Sequence, residues 1–321
     1  MKTLALALVL MFAAAGAHAQ SFPSRLVKIT APYAAGVAPA IFTRLVADKL
    51  SRAWSQQVIV DARPGASGFI AIEAVKNAPP DGHELLVVSN AHVAINPALY
   101  RGRLPYDPDR DFVPVAMMYR TPFFVTVSAS GRYPDLPALI AAARAKPGAV
   151  SYGSSYVGSP SHLGSAEFEF RTGTRMVHAP YKDQSQMYVA IANGDLDWAF
   201  STLGSALPLL KAGRLKLLAI AARERSGSAP EVPTIEQAGG PAGFEVEGWL
   251  GLVAPRGTPE ESVRRANAEV NRALAEPDVL ERMRAFGFEP APGSPAQMGE
   301  LIRSDARKYG EIVRRTGATS D

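Results

Sequence analysis

The chain has 321 residues, 34 Lys and Arg against 30 Asp and Glu for a formal charge of +4, and no cysteine. This mixed and nearly balanced charge leaves no electrostatic footprint for nucleic acid, and short basic clusters such as Arg223-Glu224-Arg225 and Arg314-Arg315 read as solvated faces. Without cysteine there is neither a disulfide framework nor a thiolate metal site, so stability must come from packing.

Met1 to Gln20 differs from everything after it. Lys2 is its one charge, Leu4 to Ala15 is an apolar run too short to span a bilayer, and Ala17-His18-Ala19 supplies small residues for cleavage. The pattern predicts a signal peptide, 1–19, cut after Ala19, which leaves Gln20 first and a charge of +3. No later stretch reaches the roughly 18 apolar residues of a membrane helix, so the expected location is the periplasm. The remaining length, about 300 residues, exceeds what one core usually serves and predicts two domains.

Short β-branched runs then alternate with amphipathic stretches, which is α/β order. Strands are expected at Leu26–Ala31, Gln57–Val60, Glu84–Ser89, Phe123–Ser128, Leu196–Phe200, Lys216–Ala221 and Trp249–Ala254, in buried and mostly parallel sheets. Helices are expected at Ala40–Leu50, Phe69–Asn77, Pro134–Lys146 and Pro160–Thr172. Toward the end, Thr258-Pro259-Glu260-Glu261 and Ser294-Pro295-Ala296-Gln297 read as capping boxes, and between them Glu276-Pro277 opens a helix that Gly287 closes. Pro-rich connections near Thr121-Pro122 and over Ala229 to Pro241 suggest an inserted lobe. On that reading residues 20–121 plus 248–321 form lobe 1, residues 122–247 form lobe 2, and two crossing segments make a hinge.

Two strand-to-helix turns carry the candidate chemistry. Ala31 to Pro39 is a small-residue turn whose free N–H groups suit an anion at a helix start, although an ordinary turn has the same composition. Tyr152 to His162 crowds four serines at one helix start, of which Ser159 is the expected N-cap and only one is needed for capping. Gly65 to Gly68 reads as a turn that serves the fold, and Asp195 and Asp197 as a solvated strand edge. Enzyme signatures are weak or absent. Ser155 has Gly153 before it but Val157 after it, so there is no nucleophile elbow, and the glycine-rich dinucleotide and phosphate loops are missing. His83, His92, His162 and His178 lack metal-site spacing, so no metal and no cofactor is expected.

Taken in order, Ala31–Gly36, Asp61–Gly68, Pro80-Asp81-Gly82, Asn96–Tyr100, Leu104–Pro108, Asp111–Val115, Tyr152–Ser155, Gly158-Ser159, His162-Leu163, His178, Pro180–Lys182, Val232–Thr234, Trp249 and Ala254–Pro259 make the chain resemble the Bug family. These are extracytoplasmic receptors of tripartite tricarboxylate transporters, and the match covers almost the whole mature chain. The resemblance implies a type II periplasmic-binding-protein fold, a small organic carboxylate held between the lobes by the two turns, and a pair of inner-membrane permease subunits as partners. The chain departs from the family pattern at Val37, Pro39 and Ala40, where relatives usually carry glycine and an acid. That predicts a differently shaped first turn and, without a partner for an ammonium, a ligand that is not an amino acid. Tyr156 stands where relatives usually have glycine, and its ring either enters the cleft beside a flat acid or turns outward.

The expected contact set is Tyr33, Gly36, Val37 and Ala38 from lobe 1, mainly through backbone donors, with Ser154, Ser155, Tyr156, Ser159 and His162 from lobe 2 and Asn90 and Tyr181 at the rim. The expected protein is a monomeric receptor without catalytic activity. A receptor with a sensory output keeps the same fold. A hydrolase or isomerase with His162 as base, assisted by a serine or Asp183, is the rival from another class.

Overall fold

A computed structural model describes residues 22–100, 102–181 and 183–318 of the protein, so the expected leader and Lys182 lie outside the described residues. The strands are β1 (Val27–Ala31), β2 (Val58–Ala62), β3 (Glu84–Ser89), β4 (Phe112–Pro122), β5 (Phe124–Ser128), β6 (Ser151–Ser154), β7 (Val177–Pro180), β8 (Trp198–Ser201), β9 (Leu215–Ile220), β10 (Glu247–Pro255) and β11 (Glu289–Pro290). The helices of eight residues or more are α1 (Ala38–Trp54), α2 (Phe69–Lys76), α3 (Leu136–Ala145), α4 (Pro160–Thr172), α5 (Gln184–Asn193), α6 (Leu203–Lys211), α7 (Glu260–Leu274), α8 (Pro277–Phe286) and α9 (Pro295–Thr316). One sheet has the order β11-β4-β10-β3-β1-β2 and the other the order β7-β6-β8-β5-β9.

Both sheets are mixed, which corrects the expectation of mostly parallel ones. β1 runs parallel to β2 and β3, and β6 parallel to β7 and β8, but β10 is antiparallel to β3 and β4, and β5 is antiparallel to β8 and β9. The reason is the crossing. The chain leaves the first sheet along β4, enters the second as β5 and comes back as β10, so the outgoing and returning strands oppose each other, with Glu247 opposite Pro122 and Gly248 opposite Thr121. Hydrogen bonds from Phe123 N–H to Val246 O, Val246 N–H to Ala221 O and Ala221 N–H to Phe123 O continue the ribbon into the second sheet.

The strands expected from the sequence do not include 112–122, a stretch that carries Pro114. The structure places Pro114 opposite Val253, at a register shift between Leu252 and Val253, where the ladder tolerates a residue with no N–H. Each sheet is covered on both faces. In the first, Phe42, Val46 and Leu50 of α1 pack with Val263, Val270 and Met283 on one side, and Ile72 and Val75 of α2 with Met298 and Ile302 of α9 on the other. In the second, Leu139 and Phe168 cover one face, and Met187, Ile191 and Ala206 the other.

Helix starts follow local chemistry closely. Ser294 Oγ accepts from Gln297 N–H and Gln297 Oε1 from Ser294 N–H, the expected capping box. Pro277 opens α8 and Gly287, at φ 67°, ends it. Thr258 is a correction: its hydroxyl donates to Pro255 O, and α7 starts at Glu260 with Pro259 at the N-cap. Asp197 is another, since it is no solvated edge. Its side chain is 8% exposed, accepts from Tyr133 OH (2.9 Å), Ser151 N–H (2.7 Å) and Ser151 Oγ (3.0 Å), and pairs with Arg132. It ties the turn before α3 and β6 to β8. Asp197→Ala strands those buried donors and should lower the unfolding free energy by about 2–4 kcal/mol, measured in urea, with Ser151→Ala costing less.

Candidate ligand-binding cleft

The carboxyl ends of the parallel strands meet between the two sheets, and each leads into a helix or helical turn. There a cavity of about 200 Å³ is lined from the first sheet by Tyr33, Pro39, Ser89, Asn90, Ala91, Tyr119, Thr121 and Gly248–Leu250, and from the second by Phe123, Ser155, Tyr156, Ser159–Ser161, Gln184 and Thr202. None of these residues carries a formal charge.

Four helices begin at this cavity: α1 through Pro39, α4 through Ser159, Pro160 and Ser161, α5 through its first residue Gln184, and α6 through Thr202 at its N-cap. Each N-terminus carries roughly half a positive charge from unpaired N–H groups. In the first turn, Val37 N–H is bonded to Ala34 O, and Ala40 and Ile41 N–H to Val37 O, while the N–H groups of Ala35, Gly36 and Ala38 have no partner among the described residues. Val37 sits at φ −87° and Gly36 has no positive φ, so the altered turn is built without the backbone freedom of glycine. Burial pushes the phenols of Tyr33 and Tyr119 well above their ordinary range, which keeps them protonated as donors.

The structure brings together five of the expected contact residues, Tyr33, Asn90, Ser155, Tyr156 and Ser159. Tyr156 lies at the mouth with 53% of its surface exposed, so its ring is open to solvent and to the cleft together. Asn90 also ties β10 to α9, donating to Glu247 O (2.9 Å) and to Tyr309 OH (3.4 Å). Gly36, Val37 and Ala38 stay on the loop above Pro39, and Val37 is 43% exposed. Ser154, His162 and Tyr181 are not among the lining residues. Ser154 Oγ is fully buried against His178 and Tyr156 O, His162 Nδ1 accepts from Gly158 N–H, and Tyr181 packs against the cluster of Met187 and Ile191. Asp183 caps α5 by accepting from Ser185 N–H (2.8 Å).

Sequence reasoning missed Tyr119, Thr121, Phe123, Gln184 and Thr202. Gln184 Nε2 donates to Ser155 Oγ (2.7 Å), and Thr202 Oγ1 to Ser205 Oγ (2.8 Å). A polar residue after a buried strand was the one signal available for Thr202. Beneath Tyr33, His92 Nδ1 meets Ser89 N–H (3.0 Å) and Ser89 Oγ (3.1 Å), and a Cβ on Gly68, at φ 88°, would lie 2.7 Å from the His92 ring. The Gly65–Gly68 turn therefore packs under His92, whose ring meets the lining residue Tyr33 edge-on.

Over residues 42–318 the chain matches the family described as tripartite tricarboxylate transporter family receptors. The chain belongs to that family. The receptor is 36% identical over 293 residues, 91% of its length and 87% of the relative's, to the UPF0065 protein in the tcbD-tcbE intergenic region of Pseudomonas sp. strain P51. It is 31% identical over 306 residues, 95% and 93% of the two chains, to BugT of Bordetella pertussis. The solved structure of R. palustris Rpa4515 with adipate superposes with a TM-score of 0.81 at 32% identity, covering 93% of the receptor and 99% of that chain. The two-sheet architecture is thus the type II periplasmic-binding-protein fold, and family and fold are those of solute-binding proteins rather than enzymes. Among the described residues no helix is long and apolar enough to cross a membrane, and no group of three His, Asp or Glu side chains is placed to hold a metal ion.

Burial lowers His92 and His162 from the usual 6.5 to about 4, and for His162 the neighbouring His178 adds to the effect. The unfolded chain takes up these protons first, so stability from these groups is full above pH 6.5 and is lost as pH falls toward 4. Glu169, Glu247 and Asp305, raised by burial, act in the opposite sense. The comparison with variants isolates the histidines: His92→Asn and His162→Asn should each flatten the fall in urea midpoint between pH 6.5 and 4 relative to the wild type.

Proposed function

We propose that the receptor captures a small organic carboxylate between two lobes, residues 20–121 plus 248–321 and residues 122–247, and delivers it unmodified to the permease subunits of a tripartite transporter. The observation that carries this is the uncharged cavity on which four helix N-termini converge. Such a field favours a carboxylate by about 0.3–1 kcal/mol per helix end at an exposed site and more in a desolvated one. With no acidic side chain in the lining, an ammonium has no partner, which supports an acid without an amino group. The cavity volume, about 200 Å³, equals that of roughly six or seven water molecules at ~30 Å³ each and suits a short acid rather than a drug-sized ligand. Adipate in the R. palustris relative has this chemistry.

Tyr33, Asn90, Ser155, Tyr156 and Ser159, joined by Ser161, Gln184 and Thr202, form the contact set, with the N–H groups of Gly36 and Ala38 available from the first turn. The ligand touches both sheets, so it binds the closed arrangement better than the open one, and closure is the output. The receptor acts as a monomer in the periplasm after cleavage behind Ala19. No nucleophile and base meet in the cleft: His162, the base of the rival reading, is turned to Gly158 N–H and lies outside the lining.

The test is thermal shift and calorimetry on the mature protein with adipate, malate, benzoate and glutamate, followed by mass spectrometry of the recovered ligand. A binding acid at about 100 times its Kd should raise Tm by about 5 °C or more and be recovered unchanged. Glutamate binding more tightly than adipate would overturn the choice of acid, and a chemically altered ligand would overturn the receptor role. Intact mass of the exported protein should place Gln20 first.

A further inference from the structure

The loop that carries Ser155, Tyr156 and Ser159 into the cleft is held from behind by two imidazoles that do not line the cavity. His162, in the first turn of α4, accepts from Gly158 N–H through Nδ1 at 3.0 Å. His178, on β7, lies against it with ring centroids 4.0 Å apart and planes 16° from parallel, and Tyr152 of β6 stacks on the far side of His178 at 5.0 Å. His178 Nε2 meets Ser154 Oγ at 2.7 Å, and Ser154 Oγ meets Tyr156 O at 3.1 Å.

The donors follow from this arrangement. Tyr156 O can only accept, so the Ser154 hydroxyl spends its proton there and accepts from His178 Nε2–H. His162 Nδ1 faces an N–H, so its proton is on Nε2. Besides the bond from Gln184 to Ser155 Oγ and the turn from Ser159 N–H to Tyr156 O, the loop is fixed at Tyr156 O through Ser154 and His178, at Gly158 N–H through His162, and at the helix start through Ser159 Oγ, which accepts from His162 N–H at 3.2 Å. Its shape leaves little freedom, because Gly158 adopts φ 83° and a Cβ there would lie 2.2 Å from Leu99, at the end of the short helix Asn96–Leu99. An imidazole suits this place because it supplies a neutral acceptor on a flat ring that can stack, where a buried carboxylate would add an unpaired charge beside an anion site.

We propose that His162 and His178 are positioning residues that set the ligand-receiving shape of the Ser154–Ser159 loop without touching the ligand. The role rests on the cleft being the ligand site, and it assigns to His162 a function other than contact or base. Burial lowers both rings, and for His162 the adjacent His178 adds to it, so His162 is neutral at physiological pH, as the acceptor role of its Nδ1 requires.

The test separates the acceptor atom from the ring. His162→Asn keeps an acceptor at the position of Nδ1, and His162→Leu keeps the bulk and removes the acceptor. Amide exchange of Gly158 in the ligand-free mature protein should be slow in the wild type and in His162→Asn and at least tenfold faster in His162→Leu. Calorimetry with adipate should show about tenfold weaker binding by His162→Leu and near wild-type binding by His162→Asn. His178→Gln, which keeps a donor at the position of Nε2, and His178→Leu should divide in the same way, and they serve if His162→Leu does not fold. Equal Gly158 protection in the Asn and Leu variants, or equal adipate affinity with the loop exchanging faster, overturns the proposal. If adipate binds neither wild type nor variants, the choice of that acid for the cleft fails, while the exchange rates still decide the positioning role.

Discussion

β4 and β10 run antiparallel through the first sheet, with Glu247 opposite Pro122 and Gly248 opposite Thr121, and hand the chain to and from the second sheet at Phe123 and Val246. A pair of strands tied by ladder hydrogen bonds can twist and bend but cannot slide one register without turning every side chain to the wrong face. The two sheets are therefore fixed in which edges face each other. Because the parallel strands of both sheets end toward this ribbon, the helices that follow them start there too, and ligands of open α/β sheets bind at such carboxyl ends. The cleft is a consequence of the crossing.

The same geometry lets the proposed anion site do without a cation. A lysine or arginine in a cavity of about 200 Å³ would take up much of the space and demand its own partner when the ligand is absent. Helix N-termini and neutral hydroxyls carry no such cost. Their dipoles are fixed by the backbone before the ligand arrives, so little reorganisation accompanies binding. Tyr33 and Tyr119 add phenols that burial keeps protonated, and so remain donors.

One set of contacts between the two sheets with their helices is built on α9 and α4, and another joins Ser226 to Glu289. Leu163 of α4 packs into a cluster with Ala94, Ile95, Tyr309 and Ile312, and Arg315 near the end of α9 pairs with Glu167 at 2.5 Å and lies over the Phe170 ring. Asn90 reaches both Glu247 of β10 and Tyr309 of α9. The last helix thus joins the first sheet to the helix capped by Ser159.

The sequence by itself determined what local chemistry decides: the α/β order, the strand Glu84–Ser89, the helix Pro160–Thr172, the caps at Ser159 and Ser294, the stop at Gly287 and the two turns that lead to the cleft. The caps and the stop rest on hydrogen bonds or φ values within a few residues, and the strand and helix show in the residue types of their own runs, so neighbouring sequence was enough to find them. Tertiary structure decided the rest. The strand β4 exists despite Pro114 because a partner more than a hundred residues away supplies a register shift at that point, and Thr258 gave up its cap to a turn carbonyl. Tyr119, Thr121, Gln184 and Thr202 became cleft residues only when three separate segments were brought to one place, and His162, stacked on His178 sixteen positions on, meets Gly158 N–H rather than the cavity. Such pairings are set by packing between distant segments, which no short stretch of sequence contains.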